Sequence, residues 1–329
     1  MENPSGTFVI SLDFELHWGI FDVKSVDDYK LNLENTRKAI RGILELSDKY
    51  KIRLTFSTVG FLFAENKDEL THFAPKVKPR YTNQNLNPYP LISSIGKDEI
   101  DAPYHFAKKE IEQIAKNPNH EIGTHTFSHY YCCAEGQTLE QFDNDINAAV
   151  KIAEAMGISI NSIVFPRNQV KDDYLRTCFK NGITSYRGTE EAGVYQPRKS
   201  MPRIMEKGLR LMDSYVNVFG YHTYPLGTLQ LSRSKNGECL NIPSSRFLRP
   251  YSKTLKILEK LKILRIKKAM THAAKHGHLY HLWWHPHNFG ANMKENLGNL
   301  EMIFKHFQKL EKDYSFTSNT MTSLKEQFD

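Results

Sequence analysis

The segment His125-Thr126-Phe127-Ser128-His129 places two imidazoles four residues apart, directly beyond the short predicted strand Glu121-Ile122-Gly123. Strand ends are where α/β enzymes gather metals and catalytic groups. Spacing alone carries little weight, because His272/His276 and His281/His285 repeat it. Two further clusters supply that weight. Asp13 and Glu15 close the first predicted strand, and His281-Leu282-Trp283-Trp284-His285-Pro286-His287 gathers three imidazoles late in the chain. Carboxylates and imidazoles brought to one place can hold a divalent metal, activate water and hand a proton to a leaving group. The pair lacks the glutamate that follows the first histidine in zinc-protease helices, which disfavours a protease.

The elements that must position these groups alternate between strand and helix, the signature of a parallel sheet. Residues 7–13 alternate around Phe8, Ile10 and Leu12 as a strand, and 28–49 carry Leu33, Ile40, Ile43 and Leu44 at helical spacing. A strand over 52–57, a helix near 104–117 and the strand into the histidine pair follow. Thr138-Leu139-Glu140-Gln141 is a capping box opening a helix with Phe142, Ile146, Ala149, Val150 and Ala153 on one face and Gly157 at its end. Strand 159–165, helix 171–181 and strand 183–187 continue the pattern, while 76–103 reads as a long loop. Residues i and i+2 of a strand share a face, so Asp13 and Glu15 point one way and Phe14 the other.

Together these pieces resemble the polysaccharide deacetylases of carbohydrate esterase family 4. Ser11-Leu12-Asp13-Phe14-Glu15 is similar to the family's acidic first motif, Thr55-Phe56-Ser57-Thr58-Val59-Gly60 to its second strand and turn, Glu121-Ile122-Gly123-Thr124-His125-Thr126-Phe127-Ser128-His129 to its histidine motif, and Leu282-Trp283-Trp284-His285 to its late Leu-x-x-His. The resemblance spans residues 7–187 and 278–290. It implies an α/β fold, a distorted (β/α) barrel of seven strands, with the site at the C-terminal strand ends. By position it makes Asp13 the general base and Glu15, His125 and His129 the ligands of a divalent metal, zinc being favoured by one carboxylate and two imidazoles with open positions. The family usually has adjacent acids where Phe14 separates two here, so the roles of Asp13 and Glu15 are exchangeable. His285 is the candidate general acid. In Phe165-Pro166-Arg167-Asn168-Gln169 the family's Arg-before-Pro order is reversed; Arg167 is the candidate to orient the base, and Asn168 to reach substrate. Arg187, His287, Trp18 and Trp284 are candidates to line the sugar-binding cleft, with Asp213 a candidate for the family's fourth-motif aspartate.

The chain of 329 residues, 40% hydrophobic, can bury a full core, and the expected organisation is one catalytic domain over 1–329. It has no membrane-length apolar run. Its first residues, Met1-Glu2-Asn3-Pro4, show no signal-peptide pattern, and Cys132, Cys133, Cys178 and Cys239 lack metal-knuckle or redox spacing, so a cytoplasmic protein with reduced thiols is expected. Residues 189–251 have no counterpart in the resemblance and read as an insertion. Residues 253–268 read as a basic amphipathic helix, suited to an ordinary solvated face or to peripheral contact at the inner face of a membrane. The formal net charge of +7 favours an anionic or lipid-linked N-acetylated sugar or glycan. No recognition motif points to nucleic acid. Oligomeric state is left open. The leading expectation is metal-dependent removal of an N-acetyl group, with surface-polysaccharide biosynthesis as a setting. The alternatives are an amidohydrolase on a small cyclic or linear amide, a glycoside hydrolase of the same superfamily, or a barrel used only for binding.

Overall fold

A computed structural model describes residues 5–191, 195, 203–229, 231–234 and 237–328. In chain order the elements are β1 (Thr7–Phe14), α1 (Lys30–Tyr50), β2 (Leu54–Thr58), α2 (Lys67–Phe73), α3 (Tyr89–Ser94), α4 (Lys108–Ala115), β3 (His120–Thr124), α5 (Leu139–Glu154), β4 (Ser162–Ile163), α6 (Asp172–Lys180), β5 (Ser185–Tyr186), α7 (Arg203–Asp213), β6 (Tyr224–Pro225), β7 (Leu231–Ser234), β8 (Gly237–Asn241), β9 (Arg246–Phe247), α8 (Glu259–His276), β10 (His278–Trp284), α9 (Met293–Tyr314), β11 (Thr317–Asn319) and α10 (Met321–Lys325). The segment 76–103, expected as loop, contains the short helix α3.

Strands β10, β1, β2, β3, β4, β5 and β8 lie side by side in that order and pair in parallel. Beyond β8 the chain bonds to both ends of this curled sheet. Ile242 and Ser244 donate their backbone N–H groups to Tyr186 and Gly188, while Ser245 and Leu248 donate to His281 and Trp283. Residues 237–248 thus join β5 to β10, and seven parallel staves form the distorted (β/α) barrel. Part of the segment 189–251 is therefore barrel wall; β6 and β7 add antiparallel edges to β10 and β8.

Every residue of β1 is buried, because both faces of the strand are covered. Phe8, Ile10, Leu12 and Phe14 pack outward with the surrounding helices, against residues such as Ile40, Ile43, Phe304 and Phe307. The alternate residues Val9, Ser11 and Asp13 face the barrel interior. There Val9 joins Val164, Leu240, Ile242 and Leu279, with Met321 and Leu324 of α10 completing an apolar filling. Over that filling the interior becomes polar, and the site is built on this change. Among the described residues no helix is long and apolar enough to cross a membrane.

Candidate active site

At the end of β1 the chain turns sharply through Leu16, whose φ is 47°, leaving Asp13 and Glu15 buried side by side at the barrel mouth. Glu15 Oε2 lies 3.3 Å from His125 Nε2 and 3.2 Å from His129 Nε2. These three side chains offer ligand atoms within 4.8 Å of one another, the one such group among the described residues. His125 Nδ1 is 2.8 Å from the Val164 carbonyl. A carbonyl only accepts, so Nδ1 donates and Nε2 keeps its lone pair on the site side. His129 Nδ1 is buried without a hydrogen-bond partner. Burial lowers the His129 pKa, a shift opposed by the Glu15 carboxylate. Burial would raise the Glu15 pKa, but His285, His125 and His129 together hold it well below the usual carboxylate range. A carboxylate and two imidazole Nε2 atoms turned to one point are a donor set that fits a divalent metal, zinc in particular.

The loop carrying the histidines is held from behind. Thr126 and His129 both have left-handed backbone, φ 65° and 55°, an unfavourable conformation that surrounding contacts must maintain. Asp145 of α5 accepts the Phe127 N–H at 2.7 Å, the Ser128 N–H at 3.2 Å and the Ser128 hydroxyl. Burial pushes the Asp145 carboxyl up to about 7 against the pull of these donors. Gly60 donates its N–H to the Thr126 carbonyl, and a Cβ there would come within 2.7 Å of Phe127 Cα. Asp145 was not among the expected site residues. Its signal is an acid within the apolar stripe of Phe142, Ile146 and Ala149, where only a fully bonded carboxylate is tolerated.

Asp13 is gripped by Arg187, not by Arg167. Arg187 Nη1 and Nη2 reach the two Asp13 oxygens at 2.7 and 2.8 Å, a bidentate pair, and the same guanidinium donates to Ser11 Oγ and Asn168 Oδ1. It also lies 4.1 Å from the Trp283 ring centroid. Burial would raise the Asp13 pKa, but Arg187 with His125 and His285 holds it low. Arg167 and Asn168 are consecutive left-handed residues, φ 55° and 54°. This turn sends Asn168 inward to Arg187 and Arg167 outward to Asp22, across the Tyr131 ring that meets His129 edge-on. Arg187, expected to line the cleft, is therefore committed to the carboxylate. Asp213 lies outside the site, bound to Arg246 on the outer side of the barrel.

His285 stands at the open side, its Nε2 3.6 Å from Asp13 and 3.4 Å from Glu15. Its tautomer follows from its neighbours. Tyr29 donates to Asn288 Oδ1 at 2.8 Å, so the Asn288 amide NH₂ faces His285 Nδ1, 3.2 Å away, and can only donate to it. Neutral His285 therefore carries its proton on Nε2, toward the carboxylates. His287 stacks on His285 with centroids 5.1 Å apart and is buried; burial pushes its imidazole down to about 3. Two tryptophans proposed for the cleft are elsewhere. Trp284 is fully buried on the outer face of β10 against Phe289, since the period of two puts Trp283, not Trp284, on the His281 and His285 face. Trp18 is fully buried as well, donating to the His105 carbonyl and meeting Phe61 edge-on.

The two arginines make opposite expectations for stability. Arg187→Ala strands a carboxylate whose bidentate partner is as buried as itself and should cost about 3–5 kcal/mol, whereas Arg167→Ala removes a guanidinium that is 42% exposed and opens Asp22 to water, and should cost less, about 1–2 kcal/mol. Urea unfolding of both variants checks this; equal losses would show that Arg187 does not carry Asp13.

Residues 24–186 match the profile of the family described as polysaccharide deacetylase, a span that includes His125 and His129 and leaves out Asp13, Glu15 and His285. No curated protein sequence matches the chain significantly. Among solved structures, a chain from Mycobacterium smegmatis assigned as a polysaccharide deacetylase aligns with a TM-score of 0.59 at 10% identity, over 99% of this chain and 94% of that one. The α-amylase AmyC of Thermotoga maritima aligns at 0.54 and 11% identity, over 98% and 74%. The 4-α-glucanotransferase of Thermococcus litoralis gives 0.52 and 11%, over all of this chain and 41% of that one. At such identities the likeness is one of fold.

Proposed function

We propose that this chain, which belongs to the polysaccharide deacetylase family of hydrolases, removes an N-acetyl group from an amino sugar or glycan with the help of a divalent metal. The observation that carries this reading is the convergence of Glu15, His125 and His129 on one point, with Asp13 and His285 beside them. What a divalent cation, zinc by the donor chemistry, would supply when held by those three is Lewis acidity at the acetyl carbonyl. Asp13, kept charged by Arg187, is placed to take a proton from the attacking water. His285, whose Nε2 faces the carboxylates, is placed to give a proton to the departing amine from its imidazolium form, which leaves the neutral ring. Trp283, partly exposed beside Arg187 and His285, offers the aromatic face that was assigned to Trp284 and Trp18.

A glycosidase reading draws on the two carboxylates and on the sugar-active barrels of similar fold, but it lacks an acid. Such enzymes protonate the leaving oxygen from a carboxyl with a raised pKa, and both Asp13 and Glu15 are held low. The four free thiols suit a reducing compartment, in keeping with a cytoplasmic enzyme. The test is acetate release from N-acetylated chito-oligosaccharide by protein that is as purified, stripped by chelator, or reloaded with zinc. Activity lost on stripping and regained on reloading is expected; acetate release indifferent to chelation would overturn the metal role, and cleavage of the glycosidic bond instead would install the glycosidase.

A further inference from the structure

Helix α8 buries Ile263, Ile266 and Met270 as an amphipathic helix should, but its polar side is not all basic. The basic residues that an amphipathic surface helix would give to water are partly inside. Lys262 Nζ is 2.7 Å from Glu259 Oε2 and 2.9 Å from the Arg249 carbonyl. Arg265 bonds to the Gly220 carbonyl and lies 3.7 Å from Asp213. Among the residues left outside are aliphatic ones: Ile257, in the turn just before α8, and Leu261 and Leu264 of the helix are 83%, 43% and 47% exposed.

Helix α7 does the same. Its Asp213 is buried against Arg246 and Arg265, so its polar face meets α8 through that carboxylate. Its exposed side carries Ile204, Met205 and Met212, with Val216 just beyond. Exposed aliphatic side chains on two adjoining helices mark an interaction surface. The charge around them identifies the partner. Lys207, Lys253, Lys256, Lys260 and Lys268 are exposed, while Glu259 is the one acid between residues 251 and 276 and is buried on Lys262. Protein interfaces are depleted in lysine. Beside anionic headgroups lysine is favoured, its stem lying along apolar surface and its ammonium reaching the phosphates.

We propose that the outward faces of α7 and α8 form a docking surface for an anionic lipid bilayer, with the aliphatic side chains at the acyl boundary and the lysines on the lipid phosphates. This stands independently of the hydrolase reading. The experiment is flotation of the full-length protein with vesicles of phosphatidylcholine, or of phosphatidylcholine with one-third phosphatidylglycerol. Binding to the anionic vesicles alone, weakened by added salt, is the expected result. Each of Lys256→Glu, Lys260→Glu and Lys268→Glu should lower partitioning about fivefold or more, and Ile257→Asp with Leu264→Asp should reduce it to background while circular dichroism and the melting temperature stay unchanged. Failure of the wild-type protein to float with anionic vesicles would overturn the proposal. So would binding indifferent to these substitutions, or a dimer in solution that Leu264→Asp dissolves, which would give the patch to a second copy of the chain.

Discussion

Alanine at His125 or His129 is expected to strip the protein of its divalent metal and reduce deacetylation to background. Both imidazoles turn Nε2 toward Glu15 Oε2 at 3.3 and 3.2 Å, so each variant leaves two of three protein ligands, too few to compete with water. Loss of an outer-shell partner alone costs a catalytic metal roughly 10–100-fold in affinity, and loss of a ligand should exceed that. Metal content by mass spectrometry and acetate release should fall together. Both variants should stay folded, because Asp145 and Gly60 hold the loop at Thr126, Phe127 and Ser128, and the imidazoles add only the His125 bond to the Val164 carbonyl. A His129→Ala protein with full metal content and full activity would remove this pair from the ligand set.

His285→Ala should keep the metal and most substrate binding, yet lose on the order of 10²–10⁴ in kcat, the usual worth of a positioned acid or base. Asp13→Asn should lose a similar factor, since an amide cannot take the proton from water, while Arg187 retains an oxygen to bond. His287→Ala is the comparison. Its ring stacks behind His285 and is buried, so truncation leaves a cavity next to the acid but removes no proton donor. A modest loss in kcat is expected. Steady-state kinetics on the three variants, with metal content measured in each, decide between them; an active His285→Ala beside an inactive His287→Ala would move the acid role to His287.

Much of this site was legible before any coordinates. Asp13, Glu15, His125, His129 and His285 were identified from residue type, position at strand ends and resemblance, and the structure brings all five to one mouth. Elements with strong periodicity, such as β1, α1 and the capped helix α5, fall within a few residues of where their patterns place them, because alternation and capping are local physics. Short staves were harder. Strands β4 and β5 lie inside the expected strands 159–165 and 183–187 but are only two residues each, and the stave over 237–248 carries too little periodic signal to stand out from a segment with no counterpart in the family.

The misread residues share a cause. Trp284 is a failure of parity that the strand period already contained: counting back two from His285 selects Trp283. The choice between Arg167 and Arg187 could not be made that way. Arg187 and Asp13 are separated by 174 residues, and which arginine arrives depends on a pair of left-handed residues after Pro166 that turns one side chain out and its neighbour in. Asn288 and Tyr29, 259 residues apart, set the His285 tautomer by the same kind of meeting. The basic helix is the plainest case. Its composition says that lysine and arginine lie along an apolar stripe, but Asp213 and Glu259 draw Arg265 and Lys262 inward, because a buried carboxylate demands a cation, and Leu261 and Leu264 are left facing out beside the exposed lysines. Local order is thus written in residue spacing, whereas the pairing of buried charges is settled across the barrel, where closure brings distant segments into contact.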